Sequence, residues 1–270
     1  MIFSDKNLSQ KLERTEARSG AALVETRARI LAASAAEWIE VAGAYAIFDG
    51  IESPLTQTFG LGLDKISKTE LAKIEEFFTL RGAKICHEIS PLADASLMPL
   101  LNKRGYEPIE LSNVMFMPID SNFKLDASRN QLMRTRIIRP GEEKIWAKTS
   151  AQGWASVAHG LSEFMLEFGM ISAQCPGGFP FIAELGAQPI ATGMLFIFDD
   201  VALLAGASTI TQNRGQGAQQ ALLDSRLQFA KNHGCKMAMM CADPGSQSQR
   251  NAEKYGFHIA YTRTKWQINY

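Results

Sequence analysis

The chain has 270 residues, 46% hydrophobic and 21% charged, with Lys+Arg and Asp+Glu equal at 28 each. That length suits one large domain or two ordinary ones. A zero formal charge removes bulk electrostatics as a reason to expect nucleic acid or an anionic membrane as partner. Cys86, Cys175, Cys235 and Cys241 show no paired CxxC spacing and the four histidines are scattered, so neither a zinc cluster nor a disulfide framework is expected. The first thirty residues are interrupted by Asp5, Lys6, Lys11, Glu13, Arg14, Glu16 and Arg18, unlike a signal peptide. No stretch approaches the roughly 20 apolar residues of a membrane span. The expectation is a reduced, cytoplasmic protein without metal, nucleic acid or membrane.

In chain order, Leu8 to Ala42 reads as one long helix anchored by Leu12, Ala21, Leu23, Ile30, Leu31 and Trp38. Ala44 to Phe48 reads as a strand ended by Asp49-Gly50, and a second apolar stretch closes in Phe59-Gly60-Leu61-Gly62. A helix begins near Ser67, places Leu71, Ile74, Phe77 and Phe78 on one face, and stops at Gly82. Ala83 to Ile89 is the next strand, and Ala95 to Lys103 a short helix stopped by Gly105-Tyr106. Asp120 to Gln131, poorest in apolar anchors, is the candidate linker.

Beyond it come a strand from Arg136 to Arg139, helices over Glu142–Ala158 and Leu161–Ala173, and a break at Pro176-Gly177-Gly178. Phe179–Leu185, Ile190–Phe198 and Val201–Ile210 are three apolar runs with short connections, the pattern of an antiparallel meander. A glycine-rich turn then opens a helix over Gly217–Asn232. A strand at Lys236–Cys241, a helix at Ser246–Lys254 and a last strand after Gly256-Phe257 follow.

The two halves repeat one plan: a helix to a glycine, a strand, a loop with Asp and Pro, a short helix, then Gly-aromatic or aromatic-Gly. The intervals from Gly82 to Gly105 and from Gly234 to Gly256 differ by one residue. An internal duplication is expected.

The segment that carries chemistry is Ala207-Ser208-Thr209-Ile210-Thr211-Gln212-Asn213-Arg214-Gly215-Gln216-Gly217-Ala218-Gln219. A strand runs through a turn with two glycines straight into a helix. The first amides of a helix lack intrahelical partners and carry the positive end of its dipole, so the pattern makes an anion cradle. A dinucleotide fingerprint fails at Gln220, where a third glycine or an alanine is needed, and no Gly-Lys-Ser/Thr follows for a P-loop. What stands resembles the GNAT acetyltransferase superfamily, whose Gln/Arg-x-x-Gly-x-Gly/Ala signature is met by Gln212-Asn213-Arg214-Gly215-Gln216-Gly217. The succession of elements over about residues 134 to 268 resembles the whole GNAT domain, with Ser248-Gln249-Arg250-Asn251 on its second cofactor-facing helix.

The resemblance implies an α/β (α+β) fold of two GNAT-like domains, each a mostly antiparallel mixed sheet flanked by helices: residues 1–125 degenerate, 126–270 binding acyl-CoA. It implies N-acetyl transfer from acetyl-CoA, or a related acyl-CoA, by direct transfer to an amine acceptor, a small molecule. Cofactor contacts would come from Ala207, Ser208 and Thr209 along the pantetheine arm, Arg214, Gly215, Gln216, Gly217, Ala218 and Gln219 at the pyrophosphate, and Ser248 and Asn251. An amide near Thr209 would polarise the thioester carbonyl, as in an oxyanion hole. Many members carry a Tyr as thiolate acid where this chain has Ala252, and a Glu on the strand before the cradle, where Val201–Ile210 has no acid. The catalytic residues are therefore unknown, and a CoA-binding sensor or scaffold without catalysis is the alternative.

The first half resembles the degenerate N-terminal domain of tandem GNAT proteins. There Ser67-Lys68-Thr69-Glu70 forms a capping box whose side chains would occupy the amides a phosphate needs. Other candidates have ordinary readings beside their functional ones. His159 and Glu163 lie where acceptor-side helices are expected, or on a helix surface. Glu184 faces an acceptor or pairs across strands, and Asp243 assists proton transfer or shapes an Asx turn. Cys241 has no His near it in sequence, and Met237, Met239 and Met240 are expected to be packing.

Overall fold

The computed structural model describes residues 3–120, 132–155 and 162–268. Nearly all of the expected linker, and His159, lie outside them. The chain divides into two compact units, Met1–Met117 with Cys241–Tyr270, and Pro118–Met240.

Helix α1 (Lys6–Ile30) starts at Asp5, whose carboxylate accepts from the Leu8 amide at 2.8 Å. It ends twelve residues before the expected limit of Ala42. Glu37–Val41 is instead strand β1, joined to β2 (Ala44–Phe48) by Ala42 and Gly43, both at positive φ (49° and 73°). Two such residues make the tight turn that matches strand twist, and Trp38 stacks on Tyr45 with ring centroids 4.8 Å apart. Cross-strand pairing thus overrides the apolar anchors that suggested helix. Strand β3 (Gln57–Phe59), α2 (Lys68–Thr79), β4 (Cys86–Ile89) and α3 (Leu97–Lys103) follow, then β5 (Tyr106–Pro118).

The chain continues through β6 (Met133–Ile137), α4 (Glu143–Trp154) and α5 (Ser162–Ser172). The expected meander is present as β7 (Gly178–Leu185), β8 (Gln188–Phe198) and β9 (Val201–Thr209). Helix α6 (Ala218–Asn232), β10 (Met237–Ala242), α7 (Gln247–Lys254) and β11 (His258–Ile268) complete the run.

In the first unit the strand order is β1-β2-β3-β4-β11-β5. Strand β11 lies between β4 and β5, antiparallel to both, with His87 opposite Trp266 and Asn113 opposite Thr262. A cut at 125/126 would separate β11 from both neighbours. Ile74, Phe78, Ile85, Leu101 and Trp266 share one core cluster, while Ala17, Val24, Ile47 and Phe59 form another.

This unit also buries charge. Arg263 on β11 is bidentate to Glu16 (2.6 and 2.9 Å), lies 3.4 Å from Glu13 and 3.1 Å from Glu88. The Tyr261 hydroxyl donates to Glu13 at 2.9 Å. Burial pushes the Glu13 carboxyl up to about 7, against the opposing pull of Arg263. Burial raises Glu16 too, but Arg263 outweighs it and holds that carboxyl below its ordinary value.

In the second unit the order is β6-β7-β8-β9-β10, antiparallel except for the parallel pair β9/β10. Its core includes Trp146, Phe181, Leu195, Leu203, Leu222 and Leu227, and the Trp146 indole donates to Phe181 O at 2.8 Å. Among the described residues each unit has a parallel pair, β3/β4 in the first and β9/β10 in the second. In each the two parallel strands are joined by the first helix of the expected glycine plan, α2 and α6 running to Gly82 and Gly234 at positive φ, while α7 and β11, which end the second copy of that plan, belong to the first unit. Each unit is a mostly antiparallel mixed sheet flanked by helices. No helix among the described residues is long and apolar enough to cross a membrane.

Candidate functional site

The site is built where β9 ends and α6 begins. Strands β9 and β10 are in register only from Val201–Leu203 against Met237–Met239, and β9 then runs on to Thr209. On its other edge, β9 keeps antiparallel register with β8 but carries an irregularity. Thr192 faces Ser208 and Met194 faces Ala205, so Gly206 and Ala207 together stand opposite Gly193. Gly206 has a φ of 57°, the left-handed conformation of a glycine bulge. The bulge twists the last turn of the strand and re-aims the main chain of Ala207 to Thr209.

The side chains here are already used within the protein. Ser208 Oγ donates to Ser150 O at 3.1 Å, and Gln219 Nε2 donates to Thr209 Oγ1 at 2.8 Å. The Arg214 guanidinium reaches Thr209 O and Gly153 O, each at 3.4 Å. Gly153 on α4 permits this approach: a Cβ there would meet Ser208 Oγ, stand 2.7 Å from Ser208 Cβ and 3.0 Å from the Thr209 amide. What the end of β9 could offer a ligand is therefore main-chain groups, the kind that strand addition uses.

Past β9, Thr211–Asn213 forms a single 3-10 turn, and Gly215 and Gly217 both lie at positive φ (78° and 87°). Gly217 is the N-cap of α6 and supplies no side chain to its amides. Among the described residues, the amides of Gly215, Gln216, Gly217, Ala218 and Gln219 donate no hydrogen bond, and Ala221 N donates to Gly217 O at 3.0 Å in the helix ladder. A Cβ built at Gly215 or Gly217 would meet nothing within 4 Å. Unsatisfied donors, a helix dipole and open space above two glycines fit a phosphate group.

The corresponding start of α2 is closed. Ser67 Oγ accepts from the Glu70 amide at 3.2 Å while Glu70 Oε2 accepts from the Ser67 amide at 2.8 Å. The expected capping box is present in full.

The remaining candidates separate clearly. Ser248 and Asn251 are exposed on α7, in the other compact unit, where Asn251 Oδ1 accepts from Gln247 Nε2 at 2.8 Å. Glu184 is committed to Arg136 at 2.7 Å, a cross-strand pair between β6 and β7 that Glu142 joins. Those hydrogen bonds raise the Arg136 pKa further. Glu163 is exposed on α5. Cys241 donates to Glu16 at 3.4 Å, and burial drives its thiol pKa well up, which suits an inert thiol. Met237 and Met239 are buried, and Ala252 is 1% exposed on α7. The bulge and the spent side chains of Ser208, Thr209 and Gln219 were not apparent from the sequence.

Residues 150–257 match the model of the acetyltransferase (GNAT) family, and this stretch is a GNAT domain. The fold of the whole chain is shared with solved GNAT structures. A GCN5-related N-acetyltransferase from Kribbella flavida aligns at a TM-score of 0.66 and 16% identity, over 93% of this chain and 96% of that one. A tandem GNAT protein from the clavulanic acid biosynthesis pathway aligns at 0.60 and 10% identity, over 99% and 96%. A GCN5-related N-acetyltransferase from Sphaerobacter thermophilus aligns at 0.59 and 16% identity, over 83% and 76%. No curated protein matches the chain.

Proposed function

We propose that this protein is an N-acyltransferase that takes an acetyl group from acetyl-CoA and gives it to the amine of a small molecule. The observation that carries the reading is the row of unpartnered amides from Gly215 to Gln219 at the uncapped start of α6, directly after a bulged strand. Those amides would hold the pyrophosphate. The free edge of β9 beyond Leu203 would pair with the pantetheine arm, and an amide near Thr209 would donate to the ester oxygen. Bound acetyl-CoA supplies an activated thioester. The protein's own contribution is positioning and a donor aimed at developing charge. With no acid on Val201–Thr209, the acceptor would lose its proton to solvent. Ser248 and Asn251 remain proposed contacts, residues 1–125 are proposed not to bind CoA, and the cytoplasm is the proposed location.

Gly217→Asp tests this. At φ 87° the substitution strains the turn, and its carboxylate adds like charge among the phosphate donors. A loss of roughly 2–4 kcal/mol in CoA binding is expected by calorimetry, with the fold retained. Unchanged affinity in a folded variant would remove the cradle from the function. A non-catalytic CoA sensor is the second reading, favoured by the buried Ala252 where many relatives carry a thiolate acid. A panel of amines assayed for free thiol separates the two, since a sensor binds CoA and releases none.

A further inference from the structure

Arg226, three per cent exposed, lies on α6 about two turns beyond the cradle. Its Nε donates to Leu222 O at 3.2 Å, which anchors the side chain on its own helix. Its Nη1 donates to Met194 O at 3.1 Å and approaches Ala205 O at 3.4 Å. Met194 and Ala205 are the register pair immediately beside the bulge. The space the guanidinium occupies exists because residue 193 is glycine: a Cβ there would stand 2.9 Å from both Arg226 Cζ and Nη1. The residue facing the bulge across the ladder and the residue beneath it are thus a matched pair.

A buried guanidinium carries a large desolvation cost, and an apolar side chain of similar volume would fill the same space more cheaply. A bulge interrupts the ladder, however, and buried carbonyls beside it need donors. Arg226 supplies one to each strand. Burial lowers its pKa to about 10, which leaves it cationic at neutral pH.

We propose that Arg226 is a positioning residue: by holding the carbonyls of Met194 and Ala205, it fixes the Gly206–Ala207 bulge in the shape that presents the amides of Ala207 to Thr209 to an acyl thioester. The same helix would then place both ends of the cofactor, phosphate at its first turn and ester through its arginine. This role rests on the acyl-CoA reading above.

The test follows the carbonyl band of carbon-13-labelled acetyl-CoA by infrared difference spectroscopy, with thiol release and CoA affinity measured alongside. The variants are Arg226→Met, Arg226→Lys and Gly193→Ala. In wild type the bound ester band moves to lower frequency than in free acetyl-CoA. In the variants most of that shift is lost and thiol release falls by about tenfold or more, while the Kd for CoA itself stays within about threefold, because the cradle amides are untouched. A merely structural arginine would lower melting temperature and leave the band of bound ester where it was. Gly193→Ala keeps the charge and displaces only the guanidinium, so it decides the matter where Arg226→Met does not fold. Folded variants with the wild-type band and rate overturn the role of Arg226 alone. Wild type that binds no CoA, or leaves the ester band unshifted, overturns the acyl-CoA reading and the role with it.

Discussion

Glu13 shows how one side chain can set a pH response. It sits on α1 under Arg263, with Glu16, Glu88 and Tyr261 around it, and burial lifts its carboxyl from 4.5 to about 7. Its native pKa is above its unfolded one, so the native state holds the extra proton between those values. The stability this contributes is complete below about 4.5 and is lost as pH rises through about 7. Removing the group should therefore flatten the trend: urea unfolding of Glu13→Gln is expected to gain on wild type by on the order of 2 kcal/mol between pH 5 and 8. Parallel curves for the two proteins would show that Glu13 does not titrate in this range. None of this was legible in the sequence, because Glu13 and Arg263 stand at opposite ends of it and meet only in the folded unit, where α1 carries one and β11 the other. Gly215 and Gly217 were legible, since a requirement for positive φ and close approach leaves its mark on local residue types.

Two helix starts carry the contrast between the units. At α2 the Ser67–Glu70 box satisfies the amides internally, whereas at α6 no side chain caps them. Ser67→Ala should cost about 1 kcal/mol of stability in denaturant unfolding and leave CoA affinity untouched. A change in CoA affinity on that substitution would place a ligand at α2 and contradict the proposed division of labour. Both starts were readable from four- to six-residue patterns. Strand β1 was not: its apolar residues also fit the helix before it, and the deciding Ala42-Gly43 turn is marked by only one glycine. The β9 bulge was hidden for a related reason. A bulge is a relation between two strands, and Gly193 acquires its meaning only once it faces Gly206 and Arg226.

At the scale of the molecule, the alternation of helices and strands disclosed two repeats of one plan, and the structure carries the elements of both, with α7 and β11 of the second lying in the first unit. What the linear reading lacked was the place of β11, which a strand's own residues do not specify. Because β11 fills the gap between β4 and β5 and contributes Trp266 and Arg263 to the interior, deleting residues 258–268 should unfold the first unit. Hydrogen exchange is the measurement: loss of amide protection across β4 and β5 is expected, and retained protection there would show that β11 is dispensable. The insertion also sets an order of events during synthesis. Pro118–Met240 is one uninterrupted stretch and can collapse as soon as it is made. The first unit begins earlier and finishes later, because β4 and β5 must wait, with apolar edges unpaired, until a strand encoded after the entire second unit arrives. The unit begun earlier of the two is thus the later to be completed, and until β11 is made its unpaired strand edges leave the growing chain open to aggregation or chaperone capture.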